Sequence, residues 1–315
     1  MIPAALEVLD AFGLDIEKVP LELGYARWER TGTAMSEEDL EIIKGCEAVL
    51  FGAITTVPDP NYKSILLTIR KELDLYANIR PIKPLPGVTG VTGRSDFDFV
   101  IVRENTEGLY SGIEELHEDY STTKRLVTRK GSERIAEYAC KLAKERKNRL
   151  TIVHKSNVLK SDKLFLDVCR ETAAAQGVEY KDMLVDAMAY SLMMRPENYD
   201  VVVTTNLFGD ILSDMSGALV GSLGLLPSAN IGSNYAFFEP VHGSAPDIAG
   251  KGIANPLAAI LCVKMLLEWM GEKRASLIDE AIGYVLQNKI IPPDLGGNST
   301  TSEVGHAVAE YLRKF

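Results

Sequence analysis

The sequence predicts an α/β fold in two lobes, and three observations carry that prediction. Residues 97–103 (FDFVIVR) and 201–205 (VVVTT) are apolar, largely β-branched runs, as in strands buried on both faces. Such runs alternate with amphipathic helical stretches, of which residues 132–146 form the longest. The 315 residues exceed what one core comfortably holds, and the Pro-rich IRPIKPLPGVTG, extended or looped, marks a crossing between lobes.

The elements follow in chain order. Residues 3–12 have helical spacing, with Pro3 suited to a first turn and Gly13 ending it. A strand is expected at 19–23, a helix at 36–44 introduced by the cap-like SEED, and a strand at 48–52. Residues 64–76 read as helix ahead of the Pro-rich crossing. After the strand at 97–103 come a helix at 132–146, a short strand at 150–154 running into Lys155, a helix at 163–176 and a strand at 200–205. A helix over 210–221 would put Asp210 and Asp214, four residues apart, on one face. Helices at 255–269 and 276–287 close the pattern, which contains no internal repeat.

Bulk composition excludes several classes. A formal net charge of −10 argues against a general phosphate-backbone binder, so no nucleic-acid partner is expected. Cys46, Cys140, Cys169 and Cys262 are scattered, with no CxxC and no histidine at ligand spacing, which fits a reducing cytoplasm rather than a disulfide framework or a zinc site. The opening MIPAALEVLDAF lacks the basic stretch and cleavage site of a signal peptide. The longest apolar run, 256–270, is broken by Lys264 and Glu268, so no membrane span is expected.

Four groups of residues could carry chemistry. Asp210 and Asp214 stand at the carboxyl end of a buried strand, where open α/β sheets bind ligands; they are either half of a hard-cation site or a solvated helix face. Packing residues Leu207, Phe208, Ile211 and Leu212 around them favour the former. Arg70, Arg80 and Arg103 attach to rigid elements, and three converging guanidinium forks in an acidic protein imply a substrate with two or more carboxylates. Tyr110, beyond Gly108, and Lys155, at a strand end, could give and take protons, or could be a packing aromatic and a solvated lysine. The loop FEPVHGSAPDIAGKGIANP offers exposed backbone N–H groups for a phosphate or adenine, with Asp247 able to accept from ribose hydroxyls while repelling a 2′-phosphate. No GxGxxG follows a strand, so any nucleotide site departs from the usual dinucleotide fingerprint.

Taken together, NLFGDILSD, VRENTEGLY, HKSNVLK, LYANIRP and HGSAPDIAGKGIANP resemble the β-decarboxylating dehydrogenases, the family of isopropylmalate, homoisocitrate and isocitrate dehydrogenases, from about Ala4 to the C-terminal helix. The resemblance implies that family's two-lobed fold: a large, cofactor-binding lobe from residues 1–75 and 222–315, and a small lobe from 76–221. It implies a homodimer joined through the small lobe and an arm at 110–127. Arg70, Arg80 and Arg103 look like the clamp on the malate carboxylates. Asp210 and Asp214, with Asp186 from the other chain, look like ligands of Mg²⁺ or Mn²⁺. Lys155, lent with Asp186 to the partner's site, resembles the group that takes the hydroxyl proton as hydride passes to nicotinamide. Tyr110 resembles the acid that reprotonates the enolate after CO₂ leaves. His242, Gly243, Ser244, Ala245, Asp247, Ile248 and Asn255 match the adenosine-binding loop, and Asp247, where NADP-using members carry a basic residue, favours NAD.

The substrate pattern is divided. Leu66 and Leu67 match the paired leucines that contact the isopropyl group in isopropylmalate enzymes, whereas Ser64 falls where isocitrate enzymes contact the γ-carboxylate. Lys63 replaces the usual glutamate of isopropylmalate enzymes, and NYKS resembles archaeal homoisocitrate enzymes. Oxidation and decarboxylation of 3-isopropylmalate to 2-oxoisocaproate is therefore expected first, homoisocitrate second and isocitrate third. Family members begin with a strand and GDGIG ahead of a helix like IPAALEVL. The chain starts inside that helix, so a gap in the large-lobe sheet is expected, from a misassigned start or in an inactive, binding-only homologue.

Overall fold

The β-branched runs become the centre of one eight-stranded sheet in the computed structural model, which describes residues 1–57, 59, 62 and 64–315. Lys63 and Asn61, used in the substrate comparison, lie outside the described residues. The strands are β1 (Ala48–Leu50), β2 (Ala77–Ile82), β3 (Phe99–Glu104), β4 (Glu114–Leu116), β5 (Ser121–Thr123), β6 (Arg149–His154), β7 (Glu179–Leu184), β8 (Val201–Thr204), β9 (Pro227–Ile231) and β10 (Ala236–Pro240). The helices are α1 (Ile2–Asp10), α2 (Tyr25–Thr31), α3 (Glu37–Gly45), α4 (Ile65–Glu72), α5 (Arg129–Glu145), α6 (Ser161–Ala175), α7 (Val185–Met194), α8 (Asn206–Val220), α9 (Leu257–Trp269), α10 (Leu277–Gln287) and α11 (Thr301–Leu312).

The large sheet runs β1-β10-β9-β2-β3-β8-β6-β7, and β4 and β5 form a separate ribbon at the place expected for an arm. β8 lies parallel between β3 and β6, pairing Val102 with Val203 and Ile152 with Val203. Successive side chains of a strand point to opposite faces. Val202, with Phe99 and Ile101 of β3, therefore enters the core built with α1, α8, α9, α10 and α11. Val201 and Val203, with Val100 and Val102, enter the opposite core under α5 and α6. Burial on both faces is why these strands read as continuous apolar runs rather than alternating ones.

Most expected helices and buried strands appear within a few residues of their predicted bounds. The cap-like SEED is a reciprocal capping box: Ser36 Oγ accepts from the Asp39 N–H, and Asp39 accepts from the Ser36 N–H. The strand expected at 19–23 is a correction. That stretch has no regular structure: Pro20 lacks a ladder donor, and Val19 is 48 % exposed. The Pro-rich crossing begins inside β2, where Pro81 lies past Ile79, the last residue paired with β9, so its missing N–H breaks no bond on that side. β2 and β9 pair antiparallel, so one sheet joins a strand of the 76–221 segment to one of the 222–315 segment.

Candidate active site

Helix α8 begins at Asn206, four residues earlier than expected, with Thr205 extended ahead of it. Asp210 thus sits in the second turn, and Asn206, Asp210 and Asp214 form a stripe at i, i+4, i+8. Two arginines from adjacent strands face that stripe. Arg103, 1 % exposed, gives its Nε and Nη2 to Asn206 Oδ1 at 3.1 and 2.7 Å and its Nη1 to Asp210 Oδ1. Arg80, 4 % exposed, gives its Nη1 to Ser213 Oγ at 2.5 Å, to Asp214 Oδ1 at 3.2 Å and to Asp210 Oδ1 at 3.3 Å. Buried guanidinia persist only when paired in this way. Gly209 is required here, since a Cβ on it would lie 2.6 Å from both Cβ and Cγ of Arg103.

Tyr110 lies in the short 3₁₀ turn after β3 and donates its hydroxyl to Asp210 Oδ2 at 2.8 Å, with the Arg103 guanidinium 5.4 Å from its ring centre. The turn is held by two acids of RENTEG: Glu104 accepts from the Thr106 and Glu107 N–H groups, and Glu107 accepts from the Thr128 N–H at 2.9 Å. Arg70, on α4, pairs with buried Glu239 at 2.8 Å, and its charge is felt at Arg80, Arg103 and Asp210. The three arginines named from the sequence therefore converge.

Electrostatics sorts the acids. Burial acts to raise the Asp210 carboxyl, but Arg103 and Arg80 outweigh it and hold the pKa below the usual carboxylate range. Burial raises Asp214, helped by the neighbouring Asp210 charge and only partly opposed by Arg80. Burial and the Asp210 carboxylate push the Tyr110 phenol up, so it stays protonated and able to donate.

Other predicted residues lie apart from this cluster. Lys155, at the end of β6, gives its Nζ to Asp186 Oδ1 of α7 at 2.5 Å, and the pairing lowers the Asp186 carboxyl. Neither side chain meets Asp210 or Asp214 within the chain. Ser64 caps α4, accepting from the Leu67 N–H, while Leu66 and 37 % exposed Leu67 lie one turn before Arg70 on its face.

In the 242–255 loop, Ser244 Oγ lies 2.8 Å from Thr55 Oγ1, which ties it to the segment after β1, and Ala245 takes a left-handed φ of +45°. Gly243, Ala245 and Asp247 are exposed and Ile248 half-buried. Buried Asn255 accepts from the Leu257 N–H and donates to Asp294 Oδ2 at 3.0 Å. His242 Nδ1 faces the Gly243 carbonyl oxygen at 2.9 Å, and its shielded Nε2 has no partner among the described residues.

Sequence reasoning missed Asn206, Ser213 and Glu239, which orient the arginines. Asn206 and Ser213 were within reach, since both belong to NLFGDILSD and Asn206 stands four residues before Asp210; nothing local pairs Glu239 with Arg70.

The residues present suit a divalent cation and an anionic substrate. One half-buried and one exposed carboxylate, Asp210 and Asp214, one turn apart are hard oxygen donors, as Mg²⁺ or Mn²⁺ requires, and the buried Nε atoms of Arg70 and Arg80 lack partners among the described residues. Among the described residues no three His, Cys, Asp or Glu side chains are grouped to hold a metal. His242 Nε2 beside exposed backbone offers a polar contact of the kind an adenine ring takes.

The fold and this arrangement are those of a β-decarboxylating dehydrogenase, an oxidoreductase. The sequence profile of the isocitrate/isopropylmalate dehydrogenases matches residues 1–308, and the chain belongs to that family. It is 47% identical to a homoisocitrate dehydrogenase of Methanocaldococcus jannaschii, covering 100% of this chain and 94% of that one. It is 46% identical to a 3-isopropylmalate/3-methylmalate dehydrogenase of the same organism, covering 100% and 95%. The crystal structure of isocitrate dehydrogenase from Methylococcus capsulatus superposes with a TM-score of 0.94 at 42% identity, covering 99% of this chain and 95% of that one. Dehydrogenases of the family typically use NAD and a divalent metal. No helix among the described residues is long and apolar enough to cross a membrane.

Proposed function

We propose that this chain oxidises the 2-hydroxyl of 3-isopropylmalate and releases its 3-carboxylate as CO₂, with NAD and Mg²⁺ or Mn²⁺. The observation that carries the substrate is the apolar face of α4. Leu66 and Leu67 stand four and three residues before Arg70, so a ligand whose carboxylate meets Arg70 lays its substituent against them. An isopropyl group would cover Leu67, whereas a third carboxylate would lie against two leucines. A second reading, homoisocitrate, is supported by the Ser64 hydroxyl, which can still donate while it caps α4, and by the name of the Methanocaldococcus jannaschii relative.

Arg70, Arg80 and Arg103 grip the carboxylates in bidentate fashion. Asp210 and Asp214, with Asp186 of the partner subunit, hold the cation in a homodimer whose subunits share their sites. Residues 1–75 with 222–315 form the cofactor lobe, 76–221 form the small lobe, and the loop from His242 to Asn255 receives the adenosine. When bound, NAD supplies the hydride acceptor and the cation the Lewis acid at the 2-oxygen. Lys155, lent by the partner, takes the hydroxyl proton. Tyr110, kept protonated by burial and by Asp210, delivers a proton to the carbon that loses CO₂. Four free cysteines fit a cytoplasmic setting.

The test is NADH formation with 3-isopropylmalate, homoisocitrate and isocitrate, each with Mn²⁺ and with chelator. The proposal expects the highest kcat/KM with 3-isopropylmalate and none after chelation. A higher value with homoisocitrate reassigns the substrate, and no turnover by a folded dimer favours an inactive homologue.

A further inference from the structure

Asp162 has no place in the scheme above, yet its environment is that of a junction. Its side chain is fully buried (0 % exposed) in the first turn of α6. A buried carboxylate needs partners for both oxygens. Oδ2 accepts from the Lys155 N–H at 2.7 Å, and Oδ1 accepts from Arg125 Nη1.

Arg125 carries the connection onward. It gives Nη1 to Ser161 Oγ at 2.9 Å and Nη2 to Thr205 Oγ1 at 3.0 Å, and its guanidinium lies 5.5 Å from the Phe208 ring centre. Thr205 and Phe208 form the start of α8, the helix of Asp210 and Asp214. The next residue, Leu126, exchanges both backbone hydrogen bonds with Gly108, at 2.8 and 3.3 Å, two residues before Tyr110. The turn at Lys155 is closed as well, since the Lys155 carbonyl oxygen accepts from the Val158 and Leu159 N–H groups.

We propose that Asp162 is a positioning residue that, through Arg125, fixes the Lys155 turn relative to the Tyr110 turn and the start of α8. The proposal rests on the reading that Lys155 and Tyr110 move protons. Where each subunit lends Lys155 and keeps Tyr110, Asp162 lies between the residue lent and the residues kept, so it holds the two sites of a dimer in register. A charged pair suits this better than an apolar contact, because a planar fork fixed by oxygens from α6 and the start of α8 leaves the arm one orientation.

Two variants test the proposal, so that one remains if the other does not fold: Asp162→Asn, which keeps the shape but removes the charge, and Arg125→Lys, which keeps the charge but removes the fork. Amide hydrogen exchange is read without substrate, and kinetics on whichever acid the wild-type enzyme turns over. The expected result is faster exchange both at 155–162 and at 108–126, unchanged exchange in α9 and α10, and kcat lowered by about tenfold to a hundredfold with KM within about threefold. Faster exchange confined to the substituted segment overturns the proposal, as does an unchanged kcat. A wild-type enzyme that turns over none of the acids defeats the proposed function instead, while the exchange data still decide whether the segments are tied.

Discussion

Gly209→Ala tests the contact that seats helix α8 on strand β3. The added Cβ would stand 2.6 Å from Cβ and Cγ of Arg103, against about 3.4 Å for ordinary contact, so roughly 0.8 Å must be found. Arg103 cannot supply it, being fully buried and tethered to Asn206 and Asp210. The helix moves instead, and Asp210 is the next residue. A misplacement near 1 Å costs about 10²-fold in rate, so kcat is expected to fall between about tenfold and a hundredfold. Overpacking costs about 1–3 kcal/mol, offset by about 1 kcal/mol of better helix propensity, so the melting temperature should fall by only a few degrees. Gly283→Ala is the control. Its nearest neighbour, Pro86, is 4.0 Å away in a helix with ordinary φ, and it should leave kcat unchanged with equal or higher stability. Circular dichroism melting and steady-state kinetics on the two variants decide the matter. Wild-type kcat in Gly209→Ala would mean that Arg103 and α8 are not packed this rigidly.

Further outcomes follow from the same geometry. Asp214→Asn should raise the melting temperature of the metal-free protein, since the folded state raises that carboxyl's pKa and its ionisation at neutral pH opposes folding; the same variant should lose the rise that Mn²⁺ gives the wild type. A drop in metal-free stability would count against it. Asp210 has the opposite sign: its folded pKa is lowered, so its contribution is present above the unfolded carboxylate value and disappears as pH falls through the folded one. Urea titrations should therefore show stability declining below about pH 4, less steeply in Asp210→Asn. Tyr110→Phe should lower kcat by about 10²–10⁴-fold with little change in KM, and a raised KM with kcat unchanged would assign Tyr110 to binding instead. Cys140, Cys169 and Cys262 are buried with raised pKa values, so a thiol reagent should titrate Cys46 alone in the native protein and four thiols after unfolding. Asp200, buried beneath Arg146 and the Lys147 N–H, should cost about 3–5 kcal/mol as Asp200→Ala, measured by urea unfolding.

Features that depend on local pattern could be read from the residues alone. The run at β8 and the two acids beyond it were legible because burial on both faces imposes a composition and because helical spacing puts residues four apart on one side. The capping box ahead of α3 was legible for the same reason, being complete within four residues. Tertiary structure decided what depends on partners distant in the chain. Glu239 meets Arg70 across 169 residues and Arg80 meets Ser213 across 133, and no local rule ranks such pairs. β2, β7, β9 and β10 were missed because sheet neighbours, rather than their own composition, make strands of PSANI and EYKDML. Residues 19–23 failed in the other direction, a strand-like segment with Pro20 within it and Val19 left exposed. The division has one physical cause: hydrogen bonds and periodicity along the chain are written in neighbouring residues, whereas buried charge is stable only where the fold brings its counter-charge.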